Sequence, residues 1–128
     1  MRARTILLVD DDPDIRRMAA LSLERIGGFR VSVAASGEEA IELATRTPPD
    51  LVLLDVSMPG IDGPATLAAL RSHVATAEVP VVFFTATSSD GEVARLRALG
   101  AIGVVSKPFD LMHLPARIRG MLAQAGVD

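Results

Sequence analysis

The stretch LLVDDDPDIRR places four carboxylates within five positions, directly after an apolar run. Carboxylates this close raise one another's pKa values unless a cation neutralises them. Helix capping explains two of them, because Pro13 favours the first helical position, Asp12 then occupies the N-cap and Asp14 the first turn. Asp10 and Asp11 remain as candidate ligands of a hard cation such as Mg2+, with ordinary loop polarity as the alternative.

Three more polar groups end apolar runs elsewhere in the chain, namely Asp55 in LVLLD, Thr85 in VVFFT and Lys107 in VVSK. Taken singly, they are explained as a turn aspartate, a strand-end hydroxyl and a surface lysine. Taken together, they suit phosphoryl transfer, in which an aspartate can be the nucleophile. The developing charge then needs a metal ion on one side and a lysine or hydroxyl on the other.

The elements that must position these groups follow from the hydrophobic pattern. Apolar runs predict five strands, over Thr5–Val9, Arg30–Ala34, Leu51–Leu54, Val79–Phe84 and Gly103–Val105. Amphipathic segments alternate with them and predict five helices. The order βαβαβαβαβα indicates an α/β fold with a doubly wound parallel sheet. Ligands of such sheets bind at the carboxyl ends of the strands, where all the candidate groups lie.

Local signals set the predicted helix limits. The first helix turns Ile15, Met18, Ala19, Ser22 and Ile26 to one face and stops at Gly27-Gly28. A capping box, Ser36 to Glu39, opens the second helix, which continues to about Arg46. The third runs from a cap at Asp62 to Ser72, and the fourth follows Ser88–Glu92 and ends at Gly100. The fifth carries Leu111, Leu114, Ile118, Met121 and Leu122 on one face.

Composition narrows the class of protein. The 128 residues suit one domain, residues 1–128, and 49% of them are hydrophobic, which excludes a disordered chain. The chain has no cysteine, so thiol catalysis and cysteine-bound zinc are excluded. A net charge of -3 gives no general reason to bind nucleic acid, and no apolar run approaches a membrane span. We therefore expect a cytoplasmic protein.

The segments ILLVDDDPDIRR, LVLLDVSMPGIDG, VVFFTAT and SKPF, in this order and spacing, resemble the receiver domain of two-component response regulators, as in chemotaxis regulators. The resemblance covers nearly the whole chain. It implies a flavodoxin-like (βα)5 sheet with strand order 2-1-3-4-5. It also implies a signalling phosphoacceptor rather than an enzyme, with its own autophosphorylation and autodephosphorylation chemistry.

The resemblance assigns a role to each matching position. Asp55 is the implied phosphoacceptor, with Thr85 as the switch hydroxyl and Lys107 as the cationic partner. Asp10 and Asp11 form the acidic pair that binds Mg2+ together with Asp55 and the backbone carbonyl of Ser57, and Asp11 is the favoured direct ligand. The Lys107–Pro108 bond is implied to be cis.

Two positions depart from the family pattern. The aromatic residue three places before the lysine is replaced by Val104, so activation is expected to use Thr85 and the loop after it. The acidic residues of the dimerising branch are replaced by Ala101–Gly103, which leaves Arg117 and Arg119 without partners across a dimer. We therefore expect a monomer or a weak dimer.

These features predict a receiver that takes a phosphoryl group from a histidine kinase or histidine phosphotransfer protein in a Mg2+-dependent reaction. It is expected to be either a stand-alone regulator or a part of a longer one. The alternative is an aspartyl-phosphate phosphatase of the haloacid dehalogenase type, whose nucleophile follows the first strand. A receiver that signals without phosphate and a nucleotide-binding flavodoxin-like domain are further alternatives. The intact Asp55, Thr85 and Lys107 argue against the former, and the lack of a glycine-rich loop after the first strand argues against the latter.

Overall fold

The computed structural model describes residues 4–87 and 89–127, which form one sheet with helices on both faces. The strands are β1 (Thr5–Val9), β2 (Arg30–Ala34), β3 (Leu51–Asp55), β4 (Val81–Thr85) and β5 (Gly103–Ser106). The helices are α1 (Pro13–Leu21), α2 (Gly37–Arg46), α3 (Gly63–Ser72), α4 (Asp90–Ala98) and α5 (Leu114–Gln124). A π-helical turn over Ser22–Ile26 continues α1.

All four strand pairings are parallel, in the order β2-β1-β3-β4-β5, which confirms the predicted topology. The central strands β3 and β4 are buried at every position. Their near-continuous apolar sequences are typical of parallel strands covered on both faces.

Alternate residues of the strands supply two separate hydrophobic cores. One face of the sheet packs against α2, α3 and α4, and its largest buried side chains include Leu54, Leu70, Phe83 and Leu96. The opposite face packs against α1 and α5, with Leu8, Leu23, Phe84 and Ile118 among its buried residues. The two-residue period of the strands thus divides the helices between the faces.

The predicted helix caps are present. The Asp12 side chain accepts hydrogen bonds from the backbone N–H groups of Asp14 and Ile15 at 2.9 and 3.4 Å. Ser36 Oγ accepts from the Glu39 N–H at 3.1 Å, while the Glu39 carboxylate accepts from the Ala35 N–H at 2.6 Å. These bonds satisfy N–H groups that have no partner within the helix.

Four local predictions were wrong. Strand β4 begins at Val81 instead of Val79, after Pro80, because proline cannot donate a ladder hydrogen bond. The first helix does not keep α geometry to Gly27. Its π turn shifts the phase of the face, so Leu23 is buried while Ile26 is 46% exposed. Leu111 precedes α5 instead of lying on it. The fourth helix was predicted to follow Ser88–Glu92, but α4 already begins at Asp90, and Ser88 itself lies outside the described residues.

Candidate functional site

The carboxyl ends of β1, β3, β4 and β5 lie level because their registers place Val9 beside Leu54, Asp55 beside Phe84 and Thr85 beside Ser106. A cleft of about 340 Å³ opens above them. The structure brings the predicted Asp10, Asp11, Asp55, Ser57, Thr85 and Lys107 together in the lining of this cleft.

Lys107 joins two of the aspartates. Its Nζ lies 2.7 Å from Asp10 Oδ2 and 3.2 Å from Asp55 Oδ1. The Lys107 backbone N–H donates to the Thr85 carbonyl at 2.8 Å, and the Lys107–Pro108 bond is cis, as the resemblance implied. Burial lowers the pKa of Lys107, but the contacts with Asp10 and Asp55 raise it more, so its net pKa is raised. The ammonium is therefore permanently charged at neutral pH.

The Asp55 carboxylate is buried, and its two described contacts both fall on Oδ1. One is the Lys107 ammonium and the other is the Ser57 N–H at 3.3 Å. Burial and the negative charge of Asp10 raise the pKa of Asp55 to about 6, although Lys107 and Ser57 act in the opposite direction. At pH 7 the group is still mainly ionised, and Oδ2 is free of both contacts, as a nucleophile requires.

The carboxylates fit a hard cation. One oxygen from each of Asp10, Asp11 and Asp55 lies within 4.8 Å of the others. Asp10 Oδ1 accepts from the Asp12 N–H at 2.9 Å. Its buried Oδ2 lies 2.7 Å from the Lys107 ammonium. Asp11 is exposed and can turn toward a cation. An all-oxygen donor set of this charge suits Mg2+.

The Thr85 hydroxyl is buried and engaged with the loop that follows it. Its Oγ1 donates to the Thr87 carbonyl and accepts from the Thr87 N–H, both at 3.0 Å. The side chain is thus held by its own loop. A ligand on Asp55 that attracts this hydroxyl must compete with two local hydrogen bonds.

Gly63 allows α3 to start directly against the end of β3. Its N–H donates to the Val56 carbonyl at 2.8 Å. A Cβ at this position would lie 2.4 Å from the Asp55 carbonyl oxygen and 2.8 Å from Val56 Cα. Only glycine fits this backbone approach, which fixes the strand end that carries Asp55.

The sequence interpretation missed three groups near the cleft. Thr87 and Glu92 line it, and Glu92 forms a 2.7 Å ion pair with Arg95 in α4. Arg16 Nη1 donates to the Asp10 carbonyl at 2.7 Å. For Arg16, the available signal was the N-cap at Asp12, which starts α1 two residues after Asp10 and leaves Arg16 in its first turns.

Comparison with known proteins identifies close relatives of this chain. The response regulator receiver domain profile matches residues 6–119. The transcriptional regulatory protein PrrA of Mycobacterium leprae is 43% identical over 122 residues, which are 94% of this chain and 51% of PrrA. The chain spans about half the length of the curated relatives it matches.

Solved structures agree with this assignment. The chemotaxis protein CheY4 of Vibrio cholerae superposes with a TM-score of 0.88 at 30% identity, over 94% of this chain and all of CheY4. A putative response regulator from Chloroflexus aurantiacus gives a TM-score of 0.86 at 35% identity, over 95% of this chain and 99% of that one. The relatives are response regulators, so the haloacid dehalogenase-type alternative finds no support.

Proposed function

The chain belongs to the response regulator receiver domain family, and on that premise we propose that Asp55 is its phosphoacceptor. The observation that carries the proposal is the Asp55 carboxylate itself, which ends β3 in the cleft with a pKa of about 6 and with Lys107 at 3.2 Å. Family membership makes the chain a receiver of two-component signalling. What we propose beyond family membership is the role of each site residue, the bound metal ion and the signalling partners.

In the proposed reaction, a histidine kinase or histidine phosphotransfer protein presents a phosphohistidine to the cleft. An Asp55 oxygen forms a bond to phosphorus as the bond between phosphorus and the donor nitrogen breaks. Lys107 remains beside the acceptor and pairs with a phosphoryl oxygen. Water later hydrolyses the acyl phosphate, so the domain also removes its own signal.

Mg2+ would be held by Asp10, Asp11 and Asp55 with the carbonyl of Ser57. When bound, it neutralises charge on the phosphoryl oxygens and among the carboxylates. The protein's own contribution is to hold three acidic side chains and Lys107 in one cleft before the donor arrives.

The proposed switch uses Thr85. The phosphoryl group brings about -1.5 to -2 charges and three acceptor oxygens. These attract the Thr85 hydroxyl away from Thr87 and free the loop that precedes α4. Val104 is half-buried and packs against the core below α4, and its branched side chain is stiff, so we place most of the movement in this loop.

The exposed Arg119 has its contacts with residues of its own domain. Its guanidinium lies over the Phe29 ring, 4.5 Å from the centroid, and donates to the Gly27 carbonyl. Arg117 Nη2 donates to the Val104 carbonyl at 3.5 Å. These internal contacts support the proposal of a monomer or weak dimer.

We further propose that residues 1–128 act as one receiver domain in the cytoplasm, without contacting nucleic acid directly. None of the helices in residues 4–87 and 89–127 is long and apolar enough to cross a membrane.

The test compares two aspartates at the ends of the same strand. Wild type, Asp55→Asn and Asp50→Asn are treated with acetyl phosphate and Mg2+ and weighed intact. Wild type and Asp50→Asn are expected to gain one phosphoryl group, and Asp55→Asn none. Equal uptake by Asp55→Asn would refute the assignment.

A further inference from the structure

Arg16 connects the first helix to the acidic pair. It lies one turn into α1, and its Nη1 donates to the backbone carbonyl of Asp10 at 2.7 Å. The arginine is half-buried. The side chain of Arg17, the next residue, is 79% exposed, and its ion-pair contact is with Asp14 at 3.9 Å. The two arginines carry the same charge, but of the two it is Arg16 that contacts the end of β1.

The carbonyl that Arg16 binds belongs to the peptide unit joining Asp10 to Asp11. That unit is planar, so a hydrogen bond that fixes its oxygen also fixes the direction in which the chain leaves toward Asp11. A guanidinium donor makes a strong, charge-assisted bond to such an oxygen. On the other side, Asp12 is fixed as the N-cap of α1. The exposed Asp11 is thus held between two fixed points.

We propose that Arg16 is a positioning residue for the acidic pair, and that Mg2+ affinity depends on its contact with Asp10. The inference rests on the proposed Mg2+ site and adds a residue to it. Arg16 touches no reacting atom. It sets the orientation of the peptide that carries the two carboxylates.

Electrostatics alone predicts the opposite effect, which makes the proposal testable. Arg16 is a cation near a cation site, so removing its charge would strengthen Mg2+ binding if charge were its only role. If it positions the pair, removing it weakens binding despite the lost repulsion. Partners that orient metal ligands typically affect affinity 10–100-fold, so we expect a loss of about tenfold.

The experiment measures Mg2+ binding to wild type, Arg16→Met and Arg17→Met by isothermal titration calorimetry, since the chain has no Trp or Tyr for fluorescence. Both variants lose one positive charge and keep a long side chain. Arg16→Met should bind about tenfold more weakly. Arg17→Met should bind as wild type or slightly more tightly, because its charge is exposed and screened. Melting without metal establishes that each variant is folded at the titration temperature.

An Arg16→Met protein that binds Mg2+ as tightly as Arg17→Met overturns the inference. If Arg16→Met does not fold, Arg16→Lys takes its place. It keeps the charge but has a shorter reach, so weaker binding than wild type supports the inference and equal binding overturns it. Absence of Mg2+ binding by wild type would instead refute the proposed metal site, so the two failures are distinguishable.

Discussion

Asp50 and Asp55 flank the same buried strand, yet their surroundings are opposite in character. Asp50 precedes β3, and its Oδ2 accepts hydrogen bonds from the backbone N–H and the hydroxyl of Thr5 at 2.7 and 3.2 Å. Asp55 ends β3, where it meets burial, the negative charge of Asp10 and a lysine that it shares with Asp10. The Asp50 carboxylate accepts two hydrogen bonds from Thr5. The Asp55 carboxylate instead shares the Lys107 ammonium with Asp10.

The two ends of β3 therefore have different roles: the amino end stabilises the fold, and the carboxyl end carries the candidate chemical site. At the amino end of β3, the hydrogen bonds from Thr5 to the Asp50 carboxylate tie β1 and β3 together. At the carboxyl end, the acids are held close at a cost in free energy. That cost is relieved when a metal ion or a proton neutralises the charge.

The largest expected effect is on the free energy of unfolding, which substitutions at Asp50 and Asp55 should change in opposite directions. Asp50→Ala leaves the donors of Thr5 unpaired and should lower the free energy of unfolding by about 1–3 kcal/mol. Asp55→Asn removes a buried charge beside Asp10 and should raise it by about 1–3 kcal/mol at pH 7 without divalent metal. Urea unfolding in EDTA measures both. A loss of stability in Asp55→Asn would break the comparison.

The next effect is the pH dependence of stability. The pKa of Asp55 is about 6 in the folded chain against 3.8 for the free group, so the folded state holds the proton more tightly. Between about pH 4 and pH 6 this group therefore makes stability fall as pH rises, by about 1–3 kcal/mol across the window. Above pH 6 the destabilisation is fully present.

Other acids titrate in the same range, and the pKa of the exposed Asp110 is lowered by its contact with His113. The measured quantity is therefore wild type minus Asp55→Asn. That difference should decline from pH 4 to pH 6 and then level off. A flat difference would show that Asp55 titrates normally.

A smaller effect is expected from Mg2+. A ligand of the folded state, present at about ten times its Kd, adds about 1.4 kcal/mol, or roughly 3–6 °C in Tm. Asp11→Asn should lose most of this gain, while Asp50→Asn should keep it. Thermal unfolding with and without Mg2+ measures both. A wild-type Tm that does not respond to Mg2+ would count against the metal site.

The smallest effect concerns Asp62, whose carboxylate, like that of Asp50, accepts a hydrogen bond from a backbone N–H. It caps α3, accepting from the Ala65 N–H at 2.9 Å. Asp62→Ala should cost about 1 kcal/mol, as for other N-caps. Like Asp50→Asn, it should leave the Mg2+ response unchanged. A weaker Mg2+ response in Asp62→Ala would mean that capping and metal binding are not separate.

The sequence alone determined most of the fold, because hydrophobic period and capping chemistry act locally. The five strands, the N-caps at Asp12, Ser36 and Asp62, and the alternation of elements could all be predicted. The candidate residues could also be predicted, since parallel strands bring their carboxyl ends to one edge. The π turn after α1 and the burial of Leu23 could not, because Leu23 packs in one core with α5 residues that are distant in the chain.

Tertiary structure decided how the acids differ. Nothing in the order of residues shows that Lys107 contacts both Asp10 and Asp55. Nor does it show the hydrogen bond from the Thr85 hydroxyl to the Thr87 carbonyl, or the one from Arg16 to the Asp10 carbonyl. Nor does it distinguish Asp50 from Asp55, two aspartates at the ends of one apolar run. A carboxylate's pKa depends on the donors, charges and solvent around it, and these come from residues distant in the chain that only folding brings together.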